Sequence, residues 1–411
     1  MPFRIALSGL NAASSDLKVT GNNIANASTT GFKSSRSEFA DVYATSLAGV
    51  SNTAVGGGVR LARVAQQFAQ GNVEFTNNNL DLAINGEGFF ILSDNGASIY
   101  TRAGAFSIDR EGYVVNSSGQ RLQVFQPIGG SNTNFDTGSL NDLQISLAEG
   151  APKATSSVDL AVNLDAGEST TGTAASINPS DPSTYNYSTS FTVYDSFGES
   201  HAASMYFLRD STNPLQWHVR MTLDGSDVTT SGNTTTTLTF NTDGSLNAPA
   251  TVAYDAFTPS NGASPISLNI DFADLTQYGS DYAVNGLIQD GYTTGKLTGL
   301  DIDDTGVVSA RYTNGQSTAL GKIALATFPN VQGLQQLGDT NWAETFSAGD
   351  RIVGEAGTSS FGLIQSGALE ASNVDIAEQL INLITAQRNF QANSQVISTA
   401  DTITQTIINI R

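Results

Sequence analysis

From residue 3 the chain places Phe3, Leu7, Leu10, Ser14, Leu17, Gly21 and Ile24 at alternating steps of four and three. That spacing holds one stripe of side chains on one side of an α-helix and predicts a heptad seam, with weak layers at Ser14 and Gly21. Ala6, Ala13 and Thr20 form an adjacent face of small residues, over which another helix can come close. At the other end, residues 373–411 contain neither Gly nor Pro. Their apolar positions run Ile376, Leu380, Leu383, Phe390 and Ile397. Counted from Val396 they continue as Ala400, Ile403, Ile407 and Ile410, so a break in the heptad is expected near 397–400. A helix of about 35 residues would be roughly 50 Å long. Two amphipathic helices packed on their own domain would give this pattern. Matching heptads at both ends of one chain favour another arrangement, in which they pair with each other and bury their remaining faces in other subunits.

Between the ends the period changes from seven to two. In Gln216–Leu223, Trp217, Val219, Met221 and Leu223 alternate with His218, Arg220 and Thr222. This predicts a half-buried antiparallel strand with His218 facing solvent or a strand partner. Turn signals recur at Asp94-Asn95-Gly96, Arg110-Glu111-Gly112, Phe197-Gly198, Asp224-Gly225, Asp243-Gly244, Thr305-Gly306 and Asn314-Gly315. Strands at such intervals, with no helix between them, mean sandwiches or barrels. The fold class is therefore mainly β with terminal α-helices. Antiparallel β-sandwich or barrel domains follow in series, and the N- and C-terminal helices pair as a coiled-coil-like domain. The Ser/Thr/Gly-rich stretch 167–183 and the Thr run 229–237 read as loops or edge decoration.

Charge sharpens the division. The chain carries 38 acidic and 18 basic side chains, for a net charge of −20. Residues 1–70 are net positive through Arg4, Lys18, Lys33, Arg36, Arg60 and Arg63, and the acidity lies in the middle. This argues against nucleic-acid binding, which needs a basic footprint. There is no cysteine and only two histidines, which excludes disulfides, thiolate catalysis and histidine-rich metal sites. No run of about 18 apolar residues exists to insert in a membrane. The N-terminal MPFRIALSGLNAASS lacks the apolar core of a cleaved secretory signal.

Candidate chemistry is sparse. Asp301, Asp303, Thr305 and Gly306 mimic the start of a calcium loop, but Tyr312 stands where its bidentate Glu belongs. Gly295-Lys296 and Gly321-Lys322 lack the following Ser or Thr of a P-loop, and no G-x-S-x-G elbow is present. Gly56-Gly57-Gly58 reads as a flexible loop. No catalytic, cofactor-binding or metal residue is assigned, and no cofactor is expected.

The two ends carry a resemblance. Residues 21–33, Gly-Asn-Asn-Ile-Ala-Asn-Ala-Ser-Thr-Thr-Gly-Phe-Lys, resemble the N-terminal signature of bacterial flagellar rod and hook proteins, through Asn22, Asn23, Ala25, Asn26, Gly31, Phe32 and Lys33. Leu369–Arg411 is similar to the C-terminal signature of that family, and Gly86–Leu92 and Tyr100–Phe106 to its first β-domain. The central insert is similar to that of the hook members and longer than that of distal rod proteins. The resemblance implies a subunit of a curved, flexible hollow tube that acts as a universal joint, passing motor torque from rod to filament. It implies a helical homopolymer at the flagellar basal body and hook, extracellular and exported by the flagellar type III apparatus without a cleaved signal peptide. Distal rod, hook cap and hook–filament junction proteins are implied partners. The expected domains are 1–30 with 368–411 (axial helices), 31–70 (connecting segment), 71–150 with 289–367 (first β-domain) and 151–288 (inserted outer β-domain). Subunit assembly is assigned to Phe3, Leu7, Leu10, Leu17, Ile24, Leu380, Leu383, Phe390, Ile397, Ile403, Ile407 and Ile410. A distal rod protein and a secreted β-rich adhesin are the alternatives, and a carboxylate-pair glycosidase ranks third.

Overall fold

The computed structural model describes residues 2–42, 56–146, 149–170, 172–358 and 360–409. The chain forms two compact units, one of residues 1–147, 299–311 and 317–411, the other of 148–298 with 312–316.

In the first unit the ends of the chain are helices α1 (Pro2–Ala25) and α2 (Ile376–Asn409). Asp375 caps α2, its Oδ1 accepting the Ala377 and Glu378 amides at 2.8 and 3.2 Å. The helices pack antiparallel. Asn23 Nδ2 donates to Gln379 Oε1 at 3.1 Å, and a Cβ on Gly9 would stand 2.5 Å from Asn393 Oδ1. Between these contacts α1 steps back fourteen residues while α2 steps forward fourteen. On α1 the buried positions are Ala6, Ala13, Thr20 and Asn23. On α2, Ala386 is buried, and Gln379, Leu383, Phe390, Asn393, Ile397 and Ala400 are half-buried. These alternate at steps of four and three without interruption, so the break expected near 397–400 is absent. The small face of α1 admits a close neighbour, and closeness selects the stripe on α2 even where it holds Gln379 and Asn393.

After α1 the chain forms a two-stranded antiparallel ribbon, β1 (Ser35–Asp41) with β2 (Val59–Gln66). It then enters a twelve-stranded sheet. The hairpin Phe89–Asp94 to Ala97–Thr101 turns on Asn95 and Gly96, both at positive φ (50° and 93°), as a two-residue loop between right-twisted strands requires. The sheet's core is aromatic. Tyr100 meets Phe328 edge-on at 4.8 Å, and Phe89 meets Trp342 at 5.7 Å. Two short pairings, Leu82–Asn85 with Leu363–Ser366 and Val73–Phe75 with Ala368–Glu370, lead the chain back to α2.

The second unit is a sandwich of a four-stranded and a six-stranded sheet. One core joins them, with Val158, Leu160, Val162 and Ile270 from the first and Phe191, Met205, Phe207, Trp217 and Val219 from the second. Among the described strands Ser157–Asp159 departs from the antiparallel expectation and runs parallel to Asn269–Asp271, which the long intervening chain permits.

His218 faces a strand partner rather than solvent, the second of the two expected places: Thr237 stands opposite it. Gln216–Leu223 is buried on both faces, and Arg220 Nη1 donates to Ile177 O of the preceding loop at 2.5 Å. His218 is buried, with Nε2 2.8 Å from Asp210 Oδ2 and Nδ1 3.1 Å from Thr237 Oγ1. His201 is buried too, its Nδ1 2.6 Å from Asp224 Oδ2 and its Nε2 3.3 Å from Asp195 Oδ2. Burial alone would push the His201 imidazolium down, but Asp224 and Asp195 outweigh it and hold its pKa above the ordinary value. Burial likewise works against the Asp195 carboxylate. The Asn261 amide, the Glu199 and Phe197 backbone amides and His201 overcome it and hold Asp195 at about 2.

A pH dependence follows. A raised histidine stabilises fully below its unfolded value of about 6.5, and the stabilisation is lost as pH rises through the folded value. A depressed aspartate stabilises above about 4 and loses that contribution as pH falls toward 2. Thermal unfolding of the full chain should therefore show the second unit's melting temperature falling between pH 5.5 and 8.5, and His201→Gln should flatten that slope. An equal slope in the variant would remove His201 as its cause.

Candidate functional site

The two helices meet the β-body at one joint, built from segments far apart in sequence. After α1 the chain turns on Asn26, whose Nδ2 donates to Asn22 O at 2.9 Å and whose Oδ1 accepts Thr29 Oγ1 at 3.2 Å. Gly31 follows at φ +69°, its amide donating to Glu370 O at 2.8 Å. A Cβ there would stand 2.5 Å from Ala103 N, so both conformation and space require glycine. Phe32 and Lys33 then enter the interior.

Lys33 and Glu370 have no exposed side-chain surface, and Lys33 Nζ lies 2.5 Å from Glu370 Oε1. The same oxygen accepts the Gly71 amide at 2.8 Å, and Lys33 also donates to Ala69 O at 2.8 Å. Glu370 Oε2 accepts Arg102 Nη1 at 3.3 Å. Arg102 Nη2 donates to Gly86 O at 2.9 Å, and its guanidinium lies 5.4 Å from the centre of the Phe89 ring. One carboxylate thus gathers two cations and an amide from three other segments of the chain. Burial pushes the Lys33 ammonium below its ordinary value, against the pull of Glu370, and does the same to Arg102.

Two asparagines complete the joint. Asn23 brackets Ser35, accepting its amide and donating to its carbonyl, both at 2.8 Å, and so pins β1 to α1. Asn373 accepts the Ser34 amide at 2.7 Å and donates to Gln67 O and Ala69 O at 2.7 and 3.0 Å. An amide side chain suits this place because it both donates and accepts.

The signature residues thus fall into two groups. Asn23, Gly31, Phe32 and Lys33 are buried, Asn26 is half-buried and caps the turn, and Asn22 and Ala25 are exposed. Of the helix positions, Leu10, Leu17, Ile24, Leu383, Phe390 and Ile397 are half-buried. Phe3, Leu7, Leu380 and Ile403 lie in solvent. Ile410 and the side chain of Ile407 lie outside the described residues. Arg102, Glu370 and Asn373 were not singled out from the sequence. The one available signal was a lone charge inside an otherwise small or apolar run, as in Gly367-Ala368-Leu369-Glu370-Ala371. Among the described residues no group of three or more His, Asp or Glu side chains could hold a metal.

Terminal helices paired around a β-body define the axial proteins of the bacterial flagellum, and family models agree along the chain. Residues 3–33 match the flagella basal body rod protein model, and 365–410 the flagellar basal body rod FlgEFG protein C-terminal model. Residues 83–163 match the flagellar hook protein FlgE/F/G D1 domain, and 163–292 the flagellar basal body protein FlaE D2 domain. The chain is 39% identical to the flagellar hook protein FlgE of Escherichia coli (strain K12) over the full length of both. It is 33% identical to that of Borreliella burgdorferi, over 98% of each. The crystal structure of Helicobacter pylori flagellar hook protein FlgE2 shares the fold, with a TM-score of 0.55 at 15% identity over 72% of this chain and 100% of that one. The chain belongs to the flagellar hook protein family, and its role is that of a structural subunit of the hook.

The joint makes a sharp demand on Gly31. Gly31→Ala should destabilise the first unit by about 2 kcal/mol or more, through strain and the clash with Ala103. Calorimetry should show the transition of the first unit moved down and that of the second unchanged. A wild-type profile would show that the joint tolerates a Cβ there.

Proposed function

We propose that this chain polymerises through the outward faces of α1 and α2 into a curved hollow tube, the universal joint that passes torque from rod to filament. The observation that carries this is the apolar surface the helix pair leaves unburied. Phe3 is 50% exposed, Leu7 47%, Leu380 47%, Ile381 65%, Ile384 48% and Ile403 55%. A helix keeping this many large apolar side chains in water has another surface to meet. Repeated around an axis, such a non-closing contact gives a helical filament. Assembly would then use Phe3, Leu7, Leu380 and Ile403 between subunits, and Leu10, Leu17, Ile24, Leu383, Phe390 and Ile397 within and beside the pair. The four-part division into axial helices, connecting segment 31–70, first β-domain and insert 151–288 belongs to this reading. So do export without a cleaved signal, the absence of catalysis, and contacts with distal rod, cap and junction proteins.

Two substitutions test the helices. Leu10→Asp and Ile403→Asp each place a carboxylate at a helix contact, which costs several kcal/mol unless it is paired. Both should abolish tubes seen by electron microscopy while strand-type circular dichroism stays unchanged. Normal tubes from both variants would place these positions outside the packed wall.

A third test concerns the insert. The chain enters and leaves this region through paired segments, Gly150 N donating to Gly295 O at 2.8 Å and Lys153 bridging Tyr292, with Ile288 further in, opposite Asp159. Entry and exit segments that run together are what a removable insertion needs. Deleting 151–288 across a short Gly/Ser linker should leave secretion and polymerisation intact and yield straighter tubes that impair swimming. A deletion strain with hooks of unchanged curvature would deny the insert a mechanical role.

A further inference from the structure

We infer that the buried cluster of Lys33, Glu370 and Arg102 is a positioning device for assembly, one that sets the angle at which the helix pair leaves the β-body. This rests on the polymer reading above and adds to it the residues that would determine polymer shape.

The first ground is energetic. Lys33 and Glu370 are wholly buried and Arg102 nearly so. Removing three charges from water costs much of what their attraction returns, and apolar side chains of similar volume often serve stability as well or better. Stability alone therefore does not account for the cluster.

The second ground is placement. Lys33 lies two residues beyond the turn at Gly31 where the chain leaves α1, and Glu370 lies six residues before α2 begins at Ile376. Arg102 belongs to the β-body, beside the strand Ala97–Thr101. The cluster thus touches the exit of one helix, the entry to the other and the body both must be held against. Glu370 also accepts the amide of Gly71, where the connecting segment returns.

The third ground is the packing around it. The joint is bordered by clefts of about 430, 230 and 240 Å³. They are lined by residues such as Thr20, Ser35 and Gln379, by Asn26 and Phe32, and by Phe75 and Leu369. The clefts lie at the surface of the joint, while its interior at Gly31 is tight enough to exclude a Cβ. Apolar contact is non-directional, whereas charge-assisted hydrogen bonds to two carboxylate oxygens are directional. The directional bonds thus add a fixed orientation to what packing alone supplies.

The test compares wild type with Lys33→Met/Arg102→Met/Glu370→Leu, each supplied to a strain lacking its own hook subunit. The expected result is a melting temperature within about 5 °C of wild type, together with loss of uniform hook curvature by electron microscopy. Lys33→Met/Glu370→Gln is the second variant, used where the triple variant does not fold. It keeps one side-chain oxygen, able to accept from either the Gly71 amide or Arg102, and removes one charge of each sign. A folded variant whose hooks keep uniform, wild-type curvature overturns the inference. A melting temperature lowered far beyond this range, in both variants, overturns it as well, because the cluster would then be serving stability. Failure of the wild-type chain itself to form hooks overturns instead the polymer reading on which the inference rests.

Discussion

Glu370 carries a negative charge to a place without water, and the first unit is organised around satisfying it. A buried carboxylate needs several donors, and these come from the turn after α1, the connecting segment and the β-body. Removing Glu370 would leave Lys33 and Arg102 buried without a counter-charge, which costs more than the lost bonds themselves. The ends of the chain are thus joined to its body by mutual dependence rather than by bulk. The flanking asparagines extend the same logic to neutral groups. Asn23 and Asn373 satisfy backbone amides and carbonyls at the crossing of strand, helix and connecting segment, where no regular ladder can reach.

The helix pair solves only half of its own problem. Ala6 and Ala13 let α1 lie close to α2, with Gly9 facing Asn393, but small residues bury little apolar area. Leu383, Phe390 and Ile397 face inward on α2, but many other bulky side chains, Ile381, Ile384 and Ile403 among them, stay exposed. A sequence built for a stable two-helix hairpin would place Leu and Ile inward and polar residues outward. Here the interior of α1 is small and partly polar, and in the polymer proposed above assembly would supply the burial that folding leaves undone.

The helices and strands were legible because their signals are local. Heptad spacing and turn pairs such as Asn95-Gly96 act within a few residues, and the structure has elements where they stand. Which face of each helix turns inward was less legible. Two adjacent faces were on offer, the bulky stripe of Phe3, Leu7 and Leu10 and the small face of Ala6, Ala13 and Thr20 read as fit for close approach, and it is the small face that is buried. Periodicity reports that a face exists, not which of two adjacent faces a close neighbour will choose. The joint was still harder to see. Arg102 and Glu370 are separated by 268 positions, and nothing in either neighbourhood marks a buried ion pair. For His218, alternation left solvent and a strand partner open, and the structure has the partner: Thr237 stands opposite it on the neighbouring strand, with Asp210 at its other ring nitrogen.

Charge gives the second unit a different part in a polymer. Residues 148–298 hold sixteen acidic and four basic side chains. Copies of such a unit repel one another, but over a range of only about 8 Å at physiological ionic strength. In the polymer proposed above, contacts between neighbouring copies of this unit would then come from short-range, uncharged groups, for which its Ser, Thr and Asn are suited. Such contacts are individually weak and lack the fixed geometry of ion pairs. Repulsion limits how tightly they lock, and many interchangeable polar contacts lower the cost of shifting from one set to another. The buried cluster of the first unit is the opposite case, with few bonds, all directional and none exposed. Stiffness at the joint and slip between acidic bodies are complementary properties, and a tube that turns while bent needs both.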